Sequence, residues 1–206
     1  MQRKILIVDD HDDLAGALQK VFEEIGHVVK TVESRAEAIA LDDITQFDLV
    51  ITDLDGDNLI TEILHNGNSA PCMPSISLFS PDQRVKVFKI CAINFRRDEF
   101  NENELKNLVE TTLNFKAQFV DKIEVVQGLH EKIEFELPSA ISTMHSVLDY
   151  LMKRVKKIGV IKPEKSNLFI ALDEAFVNAV KHGNKFDAQK LVKISAEVST
   201  MEARFS

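Results

Sequence analysis

Between residues 1 and 120, short β-branched runs and stretches of helical periodicity take turns without interruption, and no other pattern in the chain restricts its fold as much. The strand-like runs are KILIVD (4–9), HVVKTV (27–32), FDLVITD (47–53), SISLF (75–79) and AINF (92–95). Helical spacing appears in DDLAGALQKVFEEIG, where Leu14, Leu18, Phe22 and Ile25 recur on one face. It continues in SRAEAIALDDI, NLITEILH, PDQRVKVFKI and, after the last strand, ENELKNLVETTLNFKAQF. Strict alternation of this kind belongs to parallel strands joined by crossover helices. The expectation is an α/β unit with a five-stranded, doubly wound parallel sheet in the order 2-1-3-4-5, whose functional groups lie at the carboxyl ends of the strands.

From about residue 121 the pattern changes. A strand pair is expected in IEVVQGLHEKIEFEL, turning near Gly128. A long helix follows over PSAISTMHSVLDYLMKRVKKIG, with apolar positions Ile141, Met144, Val147, Leu148 and Leu151 and a stop at Gly159. A second helix runs from Pro163 to Gly183, and KLVKISAEVST (190–200) is a further strand. Charge changes at the same place. Residues 1–120 hold 12 Lys/Arg against 21 Asp/Glu, a balance of −9, whereas 121–206 hold 13 against 12. The sequence therefore divides into units at 1–120 and 121–206.

Composition removes several classes of function. The net charge of −8 argues against a surface that seeks nucleic acid, and no apolar stretch approaches the length of a membrane span. Cys72 and Cys91 lack metal-ligand spacing, and the opening MQRKILIVDD has too short an apolar run for a secretory leader, so a cytoplasmic setting is expected. The basic run Lys153, Arg154, Lys156, Lys157 reads as a solvated helix end opposing the macrodipole.

The stretch LVITDLDGDNL carries Asp53, Asp55 and Asp57 at alternate positions. A calcium loop starting at Asp53 would need Gly sixth and Glu twelfth, where Asn58 and Leu64 stand. DLDGD also resembles the opening motif of haloacid-dehalogenase-type phosphatases, with Asp53 as nucleophile and Asp55 as acid/base. That family has Thr where Asp57 stands and carries the motif on its first strand, not its third. A further alternative is that the acids cap helices at loop ends. Asp9 and Asp10 end the first strand, however, so two acidic clusters converge on one edge of the sheet, and hard oxygen ligands of this kind suit magnesium.

The strand-end pair VDD followed by Asp53, in a five-unit alternation, resembles the receiver domain of bacterial two-component response regulators over residues 1–120. The resemblance implies Asp53 as phosphoacceptor, Asp10 as a direct Mg2+ ligand, Asp9 as its supporting acid and Asp55 as a main-chain metal ligand. It also implies Ser80 (with Ser77 as alternative) and a cation, for which Arg97 stands nearest, in contact with the phosphoryl group. SPDQ reads equally as a helix start with Ser80 as N-cap. CAINFRRDEF departs from the family pattern, because Asp98 and Glu99 occupy the places of its Lys-Pro.

Within LFIALDEAFVNAVKHGN (168–184), Glu174 and Asn178 share a helix face with Lys181 and His182. The string Glu-x-x-x-Asn-Ala-x-x-His-Gly resembles the N-box of histidine-kinase-like ATPases, in particular the anti-sigma-factor serine kinases, with the match running over about 131–206. The resemblance implies an incomplete α+β sandwich in which Glu174 is a general base and Asn178, His182 and Gly183 serve the nucleotide site. That family's Asp-x-Gly-x-Gly motif is not within these residues, so ATP is expected only if the site is completed outside this chain. Together the resemblances imply a response regulator served by a sensor histidine kinase or phosphotransfer protein, with a sigma-factor regulatory protein and a second copy of the chain as further partners. The alternative is a non-enzymatic interaction module whose receiver does not switch.

Overall fold

The structure is a computed structural model of the chain and describes residues 1–11, 13–54, 85–92, 94–96, 100–162 and 166–206. One seven-stranded sheet runs through it, in the order β2-β1-β3-β4-β5-β6-β7. The strands are β1 (Lys4–Asp9), β2 (Val28–Val32), β3 (Leu49–Leu54), β4 (Lys86–Cys91), β5 (His130–Pro138), β6 (Leu191–Ser199) and β7 (Ala203–Phe205). β1 pairs in parallel with both β2 and β3, as the alternation predicted. The reason lies in the side chains: Ile5, Leu6, Ile7 and Val8 are all fully buried, so both faces of β1 are covered. Ile5 and Ile7 join Leu49 and Ile51 on one face, while Leu6 and Val8 join Val50 and Leu54 on the other.

Beyond β3 the sheet departs from the expected five parallel strands. β4 lies antiparallel to β3 and parallel to β5, and β6 and β7 add antiparallel. The segment PDQRVKVFKI, expected as a helix, contributes β4. Its Val85 and Val87 pack on one face of the sheet and Phe88 and Ile90 on the other, a period of two rather than 3.6. AINF, expected as a strand, supplies instead a 3₁₀ turn at Asn94–Arg96, with Phe95 fully buried under the Arg3 guanidinium at 4.1 Å. The hairpin expected around Gly128 is absent: its first arm is not a strand, and Ile123 and Val125 are exposed. SISLF and NLITEILH lie outside the described residues.

Helices cover the sheet: α1 (Ala15–Glu24), α2 (Arg35–Ile39), α3 (Glu102–Phe115), α4 (Ile141–Ile158) and α5 (Leu168–Asn178). In α1 the stripe Leu14, Leu18, Phe22 is buried, but the helix ends before Ile25, which is exposed, and Gly26 turns the chain with φ +94°. Asn101 caps α3 by accepting from the Glu104 amide at 3.1 Å. α4 buries Met144, Val147, Leu148, Leu151 and Val155, and stops at Gly159 in the left-handed region. Of Pro138 and Ser139, expected to begin this helix, Pro138 instead ends β5, and Ser139, just beyond it, donates from Oγ to the Lys190 carbonyl at 2.9 Å. π-helical turns extend α3 (Lys116–Val120) and α5 (Ala179–Gly183). The main core is continuous from Ile5 to Val198, so the two stretches that differ in sequence pattern share one sheet and one apolar interior.

Candidate functional site

Asp9 is the last residue of β1 and Asp53 the last but one of β3, and they stand opposite each other in the β1–β3 register. Asp9 Oδ1 accepts from the His11 amide at 3.1 Å, and Oδ2 from the Leu14 and Ala15 amides at 2.8 and 2.9 Å. The carboxylate thus satisfies orphan donors at the start of α1, which carries no other side-chain cap. Asp10 is half-buried beside the His11 imidazole at 3.6 Å. Asp53 is only 3% exposed.

Two lysines flank Asp53. Lys86 Nζ, from the first residue of β4, lies 3.5 Å from Oδ1, and Lys116 Nζ, at the end of α3, lies 3.4 Å from Oδ2. Lys116 is fully buried, with its ammonium 4.9 Å from the centre of the Phe88 ring. Phe88, Phe135 and Tyr150 form an aromatic floor with ring centres 5.9–6.4 Å apart. Lys116 also donates to Asp121 at 2.8 Å and approaches Glu131 at 3.5 Å. Arg154, from α4, engages Glu131, Glu124 and, at 3.5 Å, Asp121. Lys86 closes the circle on Glu124 at 3.5 Å. Three cations and four carboxylates therefore form one buried ring.

Burial is the largest influence on Asp53 and pushes its carboxyl up to about 6, against the pull of Lys116 and Lys86 and with help from Glu131 and Asp9. Burial works against the Lys116 ammonium too, but Asp53, Tyr150, Glu131 and Asp121 outweigh it and hold the lysine well above its ordinary range. The lysine stays charged, and Asp53 is the member that yields. A carboxyl raised in the folded state keeps its proton to about pH 6, whereas the unfolded chain loses it near 3.8. The associated stability is complete below 3.8 and lost as pH rises through 6. In metal-free buffer, Asp53→Asn should therefore gain on the native chain by up to about 3 kcal/mol between pH 4 and pH 7, measured by urea unfolding. A constant difference across that range would show that Asp53 is solvated.

Asp55, Ser80, Ser77 and Arg97 lie outside the described residues. Glu174, Asn178, His182 and Gly183 are all exposed, on α5 and the π-helical turn that follows, ahead of β6, which lies three strands from β3. Lys153, Lys156 and Lys157 are set apart from Arg154, which is 2% exposed and belongs to the ring rather than to a solvated helix end. Lys116 and Arg154 could have been found from spacing. Lys116 follows Val109 and Thr112 in the buried register of α3, and Arg154 follows Val147 and Leu151 in that of α4. A charge inside an apolar stripe needs a buried partner.

A family model described as the response regulator receiver domain matches residues 5–110. The chain belongs to that family. Membership makes it a response regulator of a two-component system, a class that interacts with a histidine kinase or phosphotransfer protein and generally uses Mg2+ for phosphorylation. Searches of the curated proteins and of the solved structures return no match to this receiver protein. No helix among its described residues is long and apolar enough to cross a membrane.

The donor chemistry suits a hard divalent cation, because Asp53 Oδ1 is buried without a hydrogen-bond partner and stands next to Asp9. Among the described residues, however, no three acidic, histidine or cysteine side chains gather as a metal group. Asp9 is engaged with α1, and Asp53 faces two lysines.

Proposed function

We propose that this receiver accepts a phosphoryl group on Asp53 and that residues 121–206 form the output unit it controls. The observation that carries the reading is the position of Asp53, near the end of β3, level with Asp9 on the parallel neighbour β1, and within reach of two ammonium groups, of which that of Lys116 is fully buried. In the transfer, an Asp53 oxygen forms a bond to phosphorus as the phosphorus–nitrogen bond of a phosphohistidine donor breaks, and the electron pair leaves with the imidazole. Lys86 and Lys116 are placed to offset negative charge on the group that arrives. Mg2+ would be held by Asp10 and Asp53, with Asp9 in support and the Asp55 carbonyl as a further ligand, and would supply charge neutralisation. Ser80 and Arg97 are proposed as further contacts of the phosphoryl group.

For residues 121–206 we propose an incomplete histidine-kinase-like ATPase unit of the anti-sigma serine kinase type, divided from the receiver near residue 120. The antiparallel run β5-β6-β7, crossed by two helices, supports it, as does the display of Glu174, Asn178, His182 and Gly183 on one helix and turn. A sigma-factor regulatory protein would be its target, and nucleotide would need residues outside this chain. The second reading, a module that binds protein without switching, draws support from the 3% exposure of Asp53 and from the ion pairs that already occupy it.

Acetyl phosphate with Mg2+ should leave a single phosphoryl group on the native chain, removable by hydroxylamine and placed at Asp53 by peptide mass spectrometry. Asp53→Asn should lose it, Asp57→Asn should keep it, and Asp10→Asn should slow it by 10²-fold or more, the scale on which loss of a charge-stabilising group is felt. An unmodified native chain would favour the non-switching module.

A further inference from the structure

The ring around Asp53 has an asymmetry that the phosphoacceptor reading does not use. Lys116 joins Asp53 to Asp121 and Glu131: it makes one short hydrogen bond, to Asp121 at 2.8 Å, and two longer ionic contacts, to Asp53 at 3.4 Å and Glu131 at 3.5 Å. Asp121 and Glu131 are in turn the two carboxylates that Lys116 shares with Arg154 of α4. Lys116, Asp121, Glu131 and Arg154 all lie outside residues 5–110, the span of the family match. The receiver's acid is therefore completed by groups contributed by the rest of the chain.

The geometry also leaves the ring unsaturated. Asp53 Oδ1, Glu131 Oε1, Arg154 Nη1 and Tyr150 Oη are all buried without a hydrogen-bond partner among the described residues. A buried network with unmet donors and acceptors has alternative arrangements of similar energy, because gaining one bond costs another. Lys116 is the first residue of a π-helical turn whose wider winding lets Asp121, five residues on, face the same ammonium while its amide bonds the Lys116 carbonyl at 2.8 Å.

We infer that Lys116 is a positioning residue through which the charge on Asp53 governs the seating of the 116–121 turn and of α4. Removing charge from Asp53 leaves Lys116 to Asp121 and Glu131, which tightens the 116–121 turn but sets Lys116 in competition with Arg154 and so loosens α4. Adding charge draws Lys116 toward Asp53, releases Asp121 and Glu131 to Arg154, and so loosens the 116–121 turn while seating α4 more firmly. The inference rests on the reading of Asp53 as the point at which charge changes, but the ring's response to charge is separable from how that change is made.

Hydrogen exchange followed by mass spectrometry separates the two. In Asp53→Asn, the amides of 116–121 should exchange about tenfold more slowly than in the native chain, and those of 141–158 about tenfold faster, the scale of a contacting pair's coupling. Phosphorylation of the native chain should move the same amides the other way. Both changes should vanish in Lys116→Met. If that variant does not fold, the Arg154 Nε resonance supplies the second measurement, and it should shift between the native chain and Asp53→Asn. Unchanged exchange in both segments on Asp53→Asn, a fixed Arg154 resonance, or changes that persist in Lys116→Met would overturn the inference. Failure of acetyl phosphate to modify Asp53 would overturn only the phosphoacceptor reading, because the Asn variant tests the ring without any donor.

Discussion

Replacing Lys116 with methionine should lower the unfolding free energy at pH 7 by about 3–5 kcal/mol, the range for breaking a buried ion pair by removing one partner. Methionine approximates the stem's volume, so packing against Phe88 is largely kept and the loss is electrostatic. What remains is Asp53, Asp121 and Glu131, all buried, with Lys86 and Arg154 as their cations. A double variant that also changes Asp121 to Asn should recover part of the loss, because one uncompensated charge goes with it. Urea unfolding of the single and double variants measures both quantities. A loss below about 1 kcal/mol would place Lys116 in the class of solvent-exposed pairs.

Phe135→Ala should have an effect of similar size, about 3–5 kcal/mol, from lost burial and the cavity left behind. Phe135 is fully buried in β5 and touches Phe88 of β4 and Tyr150 of α4 edge-on, so it binds three elements at once. The consequence for cooperativity is the sharper measurement. With one continuous sheet and core, amides of β1 and β3 should lose protection together with those of β5 and β6. Protection retained in β1 and β3 while β5 and β6 open would mean that residues 1–120 and 121–206 fold as separate units.

The parts of this fold that depend on local pattern were legible. ILIVD and LVITD are largely apolar runs ending in acid, and a surface helix of that composition would not bury five consecutive residues as β1 and β3 do. β4 was not legible, because VKVFKI satisfies a strand's alternation and a helix's spacing equally over six residues, and the Ser-Pro before it reads as a helix start. Direction was hidden too: that β4 runs antiparallel to β3 is decided by where the chain re-enters the sheet, which no local pattern encodes.

The candidate site divides in the same way. Asp9 and Asp53 could be paired from sequence because each ends a strand and the strands neighbour. The rest of the ring could not, since Lys86, Lys116, Glu131 and Arg154 come from four separated elements and meet only through the sheet's register and helix packing. The sequence places a lysine in the buried stripe of α3 and an arginine in that of α4, which signals buried partners without naming them.

The pairing of β4 with β5 also bears on self-association. A sheet that stopped at β4 would present a row of unpaired amides and carbonyls backed by Phe88 and Ile90, a template on which a second copy could add a strand. Here the chain's own β5 occupies that row over six register pairs, from Lys86–Glu131 to Cys91–Glu136. The outermost strands of the described sheet are β2, which is five residues long and carries Lys30 exposed near its middle, and β7, which is three residues long. Short edges interrupted by charge resist strand addition, so the fold keeps its apolar strands in the interior of the sheet and gives aggregation little to grow on.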